Sequence, residues 1–123
     1  MTPKRFQLLV LAGVAATVAT LAACAPDPDS AANSEGERLF NTKGCIACHG
    51  PGGSGGMAPA WKGLYMAEVT LIDGTTVIAD DAYLARAMTD PTAQQVKGYP
   101  MMPPNQLTAT EVQAVVDYIK TLK

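Results

Sequence analysis

Apolar positions fall into one long run and several short groups separated by glycine, proline and charge. The run, Leu8 to Leu21, is uncharged and follows Lys4 and Arg5. It is short of the roughly 20 residues that a membrane-crossing helix needs, and with the small residues behind it predicts an export signal over residues 1–23. Residues 25–33, Ala-Pro-Asp-Pro-Asp-Ser-Ala-Ala-Asn, offer nothing to bury, so 24–33 reads as a flexible tether spanning at most ~35 Å. Ser34 and Glu37 have the spacing of a capping box, which starts a helix near Glu35 that buries Leu39 and Phe40 and ends about Lys43 before Gly44. Val69 and Leu71 alternate against Val77 across Asp73-Gly74, predicting a β-hairpin over Glu68 to Ala79. A lone hairpin is marginal, so it should lie against the helices. Asp80 or Asp81 can cap a helix from Ala82 to Met88, stopped by Asp90-Pro91. The last helix is the plainest: Thr108 and Glu111 form a second capping box, and Val112, Val115, Val116, Ile119 and Leu122 recur at helical spacing. Tyr118, at the margin of that face, is suited to meet the first helix at Gly36.

The 123 residues suffice for one domain, taken as 34–123 and mostly α-helical. Leu21-Ala22-Ala23-Cys24 resembles the lipobox of bacterial lipoproteins, which are cut before a cysteine that is then acylated. With three cysteines in the chain, Cys24 is the one without a role in the motif described next. This reading places the domain on the periplasmic or extracytoplasmic side of a bacterial membrane, held by lipid at Cys24. Removing Lys4 and Arg5 from the 9 basic residues leaves 7 against 11 acidic ones, a net charge of about −4. That mild acidity argues against a nucleic-acid partner.

Cys45-Ile46-Ala47-Cys48-His49 is the string that organises the chain. Two residues between the thiols let one tight turn offer both sulfurs to the vinyl groups of a porphyrin, and His49 then falls beneath the iron. A thioredoxin-like dithiol would need a βαβ context, and a zinc site would need another Cys/His pair, whereas His49 is the single histidine. The Gly-rich run Gly50 to Pro59 lacks the Lys-Ser/Thr ending of a phosphate loop and reads as a loop wrapping the haem. Trp61 and Leu64 are the next apolar residues and suit a wall of the haem pocket.

The sixth iron ligand is left to methionine, lysine, water or nothing. In Gly98-Tyr99-Pro100-Met101-Met102-Pro103-Pro104 three prolines stiffen a stretch that can hold a thioether in place. Met66 and Met88 read as core filler. A methionine of the proline-rich stretch reads as the axial ligand.

These pieces resemble class I monohaem cytochromes c over residues 34–123. Within that group they are most similar to the cytochrome c domain of haem-copper oxidase subunit II, and to the monohaem lipoprotein cytochrome of alternative complex III. The matching strings are Gly44 to Gly50, Gly63-Leu64-Tyr65, Glu68 to Leu71, Asp73-Gly74-Thr75, Ala79 to Leu84, Gly98-Tyr99-Pro100 and Tyr118-Ile119-Lys120. The resemblance implies a class I cytochrome c fold, N- and C-terminal helices packed together around one covalent haem c, with a small β-hairpin inserted. It places the axial ligand on the methionine before the final prolines, Met102. The preceding loop is one residue shorter than the family's, which keeps Met101 as the alternative. It also implies that the Pro59 carbonyl accepts a hydrogen bond from His49, and that Trp61 and Tyr99 line the cofactor. The family commonly has leucine where Trp61 stands, and glycine where Ala58 stands. No copper-binding part is present, so the chain is not itself an oxidase subunit II. The implied role is an electron carrier and not an enzyme, passing single electrons between a quinol-oxidising complex and a terminal oxidase or reductase of a respiratory or photosynthetic chain. It has no small-molecule substrate. The rival is a haem peroxidase or gas sensor whose methionine can be displaced.

Overall fold

The computed structural model describes residues 28–123; the expected export signal, the expected lipidation at Cys24 and the first part of the expected tether lie outside the described residues. Helix α1 spans Pro28–Thr42 and so begins well before the expected Glu35, taking in residues 28–33 that the sequence suggested as tether. Ser34 caps nothing. Its hydroxyl donates to the Ala31 carbonyl at 2.8 Å, the back-bond of a serine inside a helix. The stretch ahead of it carries no breaker after Pro28, and proline suits a first helical position because that N–H has no intrahelical acceptor.

A single helical turn, α2 (Cys45–His49), follows Gly44. A two-stranded antiparallel sheet comes next, β1 (Glu68–Thr70) against β2 (Thr76–Ile78), with Val69 facing Val77. Helix α3 (Asp81–Thr89) is capped by Asp80, whose carboxylate accepts from the Tyr83 amide at 2.8 Å. Helix α4 (Ala109–Thr121) opens with the full Thr108–Glu111 capping box. The hairpin is not left with two strands. Leu71 bridges Val96, the Ile72 amide donates to Gln95 O at 2.9 Å and the Lys97 amide to Thr70 O at 3.0 Å. This third extended piece carries the sheet directly into the proline-rich segment.

Helices α1 and α4 make the main packing interface. Leu39 and Phe40 of α1 are buried with Val115, Val116, Tyr118 and Ile119 of α4. The helices touch backbone to backbone at Gly36, where an added Cβ would run into the Ala114 carbonyl oxygen and lie 2.5 Å from Tyr118 Cβ. Only glycine allows that approach. Met88 is buried as expected, but Met66 is 59% exposed and is no core filler. It stands in the left-handed region at φ 63°, its amide bonded to Ala79 O at 2.9 Å, and this bend turns the side chain outward. Among the described residues no helix is long and apolar enough to cross a membrane.

Candidate functional site

Gly44, at φ 84°, turns the chain out of α1 and directly into α2, as the left-handed end of a helix requires. The next segment then folds back over this turn. The Gly55 amide donates to His49 O at 2.7 Å, the Ala58 amide to Cys48 O at 3.0 Å, and the Trp61 amide to Gly53 O at 2.8 Å. Its backbone, rather than any side-chain contact, carries Pro59 to the imidazole.

There His49 Nδ1 lies 2.8 Å from the Pro59 carbonyl oxygen. A carbonyl can only accept, so Nδ1 carries the proton and Nε2 is left with its lone pair, the arrangement of a metal-ligating imidazole. His49 is 9% exposed. Burial lowers its pKa below the ordinary histidine value, with the Pro59 bond opposing in part, and the neutral ring is therefore favoured. Trp61, 5% exposed, packs on it with ring centroids 4.6 Å apart. Phe40 follows at 4.8 Å from Trp61, and Tyr118 at 5.8 Å from Phe40. An aromatic column thus joins the α1–α4 crossing to the histidine.

One cavity of about 360 Å³ brings most of the expected residues together: Cys48, His49, Pro59, Trp61, Tyr99, Met101 and Met102 all line it, as does Leu64. Cys45 sits half-buried against the adjoining core, and burial raises the pKa of its thiol. The two thiols are not joined to one another. Among the described residues no three His, Cys, Asp or Glu side chains gather as a metal cluster, so the zinc reading finds no further ligands. The two methionines differ. Met101 is 51% exposed, whereas Met102 is partly buried and packs on the hydrophobic core.

Several contributors had no signature in the sequence. The Asn105 amide donates to Met88 O at 2.7 Å and ties the proline-rich segment to the end of α3. Gln95 Nε2 donates to Tyr99 O at 3.2 Å within the segment. Gln94 and Lys97 also line the cavity. Asn105 reaches a carbonyl 17 residues away, and Gln94 and Lys97 meet the cavity only through the fold, so nothing local marks these three.

These residues fit a covalently held haem: a neutral imidazole with its Nε2 free, two thiols on one turn beside it, a thioether in the cavity wall, and mainly apolar surroundings. A family model described as Cytochrome c matches residues 34–123. No curated protein matches the chain.

Proposed function

The chain belongs to the cytochrome c family, whose members bind haem c covalently, and on that premise we propose that it is a membrane-tethered carrier of single electrons. In this reading Cys45 and Cys48 would hold one haem c, and His49 and Met102 would ligate its iron. When bound, the haem supplies reversible Fe(II)/Fe(III) exchange without any bond made to a substrate.

The chain's own residues do the rest. Pro59 fixes one imidazole tautomer and strengthens its donation. Pro100, Pro103 and Pro104 restrict the backbone around the thioether, and a thioether ligand favours the reduced state and raises the potential. With His49 and Met102 both ligating, the iron would offer small molecules no open coordination site. The observation that carries the proposal is the His49–Pro59 hydrogen bond in a cavity whose wall also contains Met102. Carbon monoxide tests it: the reduced protein should bind the gas slowly or not at all, and rapid binding would point instead to a peroxidase or gas sensor.

The finer reading rests on the sequence. The lipobox-like Leu21-Ala22-Ala23-Cys24 supports a lipid anchor at Cys24 on the periplasmic or extracytoplasmic side. The strings around Gly63-Leu64-Tyr65, Asp73-Gly74-Thr75 and Gly98-Tyr99-Pro100 support kinship with the cytochrome c domain of oxidase subunit II and the lipoprotein cytochrome of alternative complex III. Such a protein would pass electrons from a quinol-oxidising complex to a terminal oxidase or reductase, either as a shuttle or as a fixed subunit. Gentle detergent extraction separates these versions, since a stoichiometric set of other cytochromes in the purified fraction identifies a fixed subunit.

A further inference from the structure

The plane of the His49 ring is set neither by its own torsion nor by its hydrogen bond alone. The outer torsion of a histidine is broad and roughly two-fold, and the bond from Nδ1 to the Pro59 carbonyl at 2.8 Å holds only one atom of the ring. Such a bond weakens steeply only when its angle falls below about 120°, so the ring has room to turn while the contact survives.

Trp61 supplies a second constraint, against the ring itself. The two centroids stand 4.6 Å apart with the planes tilted by 40°, a geometry that aromatic pairs favour over a flat sandwich. The indole is itself held. Trp61 is buried, and its amide and that of Lys62 both donate to Gly53 O, at 2.8 and 3.1 Å. Phe40 packs on the indole at 4.8 Å and is backed by Tyr118 at 5.8 Å. A close-packed interior gives such a column little space to yield. Rotation of the imidazole toward the indole is therefore blocked, and rotation away from it is opposed by the Pro59 bond.

A fixed ligand plane matters to a carrier of single electrons. The direction of an axial imidazole plane decides which iron d orbital its π electrons raise, and so how the unpaired electron of the ferric state spreads over the porphyrin. A plane that stays put between oxidation states also leaves less nuclear rearrangement to accompany each transfer. We propose that Trp61 is a positioning residue for electron exchange, locking the plane of the His49 imidazole so that both oxidation states share one ligand geometry, an assignment that rests on the haem c reading above. Pro59 selects the tautomer, and Trp61 selects the plane.

The test compares the purified full-length haem protein with Trp61→Leu and Trp61→Phe. In NMR of the ferric form the spread of the haem-methyl resonances reports the imidazole plane, and line broadening in mixed oxidation states gives the rate of electron self-exchange. Trp61→Leu should change the methyl spread and slow self-exchange several-fold. Trp61→Phe keeps a ring against the imidazole and should return both toward wild type. The methionine-to-iron charge-transfer band should persist in both variants, because the change lies on the histidine side. Where Trp61→Leu does not take up haem, Phe40→Leu withdraws the support behind the indole and should shift the same resonances. Wild-type methyl shifts and exchange rate in Trp61→Leu, or in Phe40→Leu where that variant stands in, would leave the indole a packing residue only and overturn the proposal. So would loss of the methionine band in Trp61→Leu, which would place the change on the other ligand. A wild-type protein without a haem c spectrum would overturn the underlying functional reading itself, a result distinct from both.

Discussion

The indole of Trp61 lies 4.6 Å from the imidazole of His49, centroid to centroid, with the rings tilted by 40°. The same indole meets Phe40 at 4.8 Å, so the candidate iron ligand is braced from the side by the helix-crossing core. Pro59 fixes the imidazole at Nδ1, and Trp61 limits its freedom to tilt about that bond.

Replacing Trp61 by leucine should therefore leave the haem attached and cost stability. The loss expected for shrinking a buried aromatic is about 2 kcal/mol, measured by chemical denaturation of the haem protein. An unchanged midpoint would show that the indole contributes no packing.

Gly36→Ala provides a test in which local and tertiary preferences oppose one another. Alanine is the better helix former by about 0.5–1 kcal/mol, yet its Cβ would collide with the Ala114 carbonyl and Tyr118 Cβ. The packing term should win, with a net loss of about 1–3 kcal/mol. A stabilised variant would mean that α1 and α4 can separate freely at this crossing.

The start of α4 carries a pH dependence. Glu111 accepts from the Thr108 amide at 2.8 Å and lies 3.2 Å from Lys43 Nζ, and these contacts hold its carboxyl below the ordinary range, the Thr108 amide first. A carboxyl with a lowered folded pKa contributes stability that is present above its unfolded pKa of about 4.3 and is lost as pH falls through the folded value. Glu111→Gln should flatten the stability profile below about pH 4.3 and change little near neutrality. Thr108→Ala removes the other half of the box and should cost about 1 kcal/mol at every pH. Thermal unfolding across pH separates the two.

Asn105 predicts a coupling between α3 and the methionine segment. Asn105→Ala removes the bond to Met88 O at a cost of about 1 kcal/mol. Its more telling effect should be spectroscopic, with the methionine-to-iron charge-transfer band of the ferric protein fading at a lower temperature than in wild type. Equal fading would show that Pro100, Pro103 and Pro104 hold the segment without help.

Two capping-box spacings show what the sequence could and could not reveal. Thr108 and Glu111 close a real box because Pro103 and Pro104 prevent a helix from arriving from upstream. Ser34 and Glu37 have the same spacing, but nothing after Pro28 stops α1 from running through them. The Cys-x-x-Cys-His string, the Asp80 cap, the hairpin turn and the α4 face were legible because each depends on neighbours within a few residues. The pairing of 95–97 with the hairpin and the Asn105 anchor join distant segments, so no local pattern announces them. The Gly36 contact spans that divide, since a residue without a side chain on α1 and a tyrosine at the margin of the α4 apolar face could be matched from the sequence.

The central claim is a closed haem site completed by Met102, and the far-red methionine-to-iron charge-transfer band of the oxidised protein tests it most directly. Wild type and Met101→Ala should both show the band, and Met102→Ala should lose it. Absence of the band in wild type, or its survival in Met102→Ala, would contradict the account.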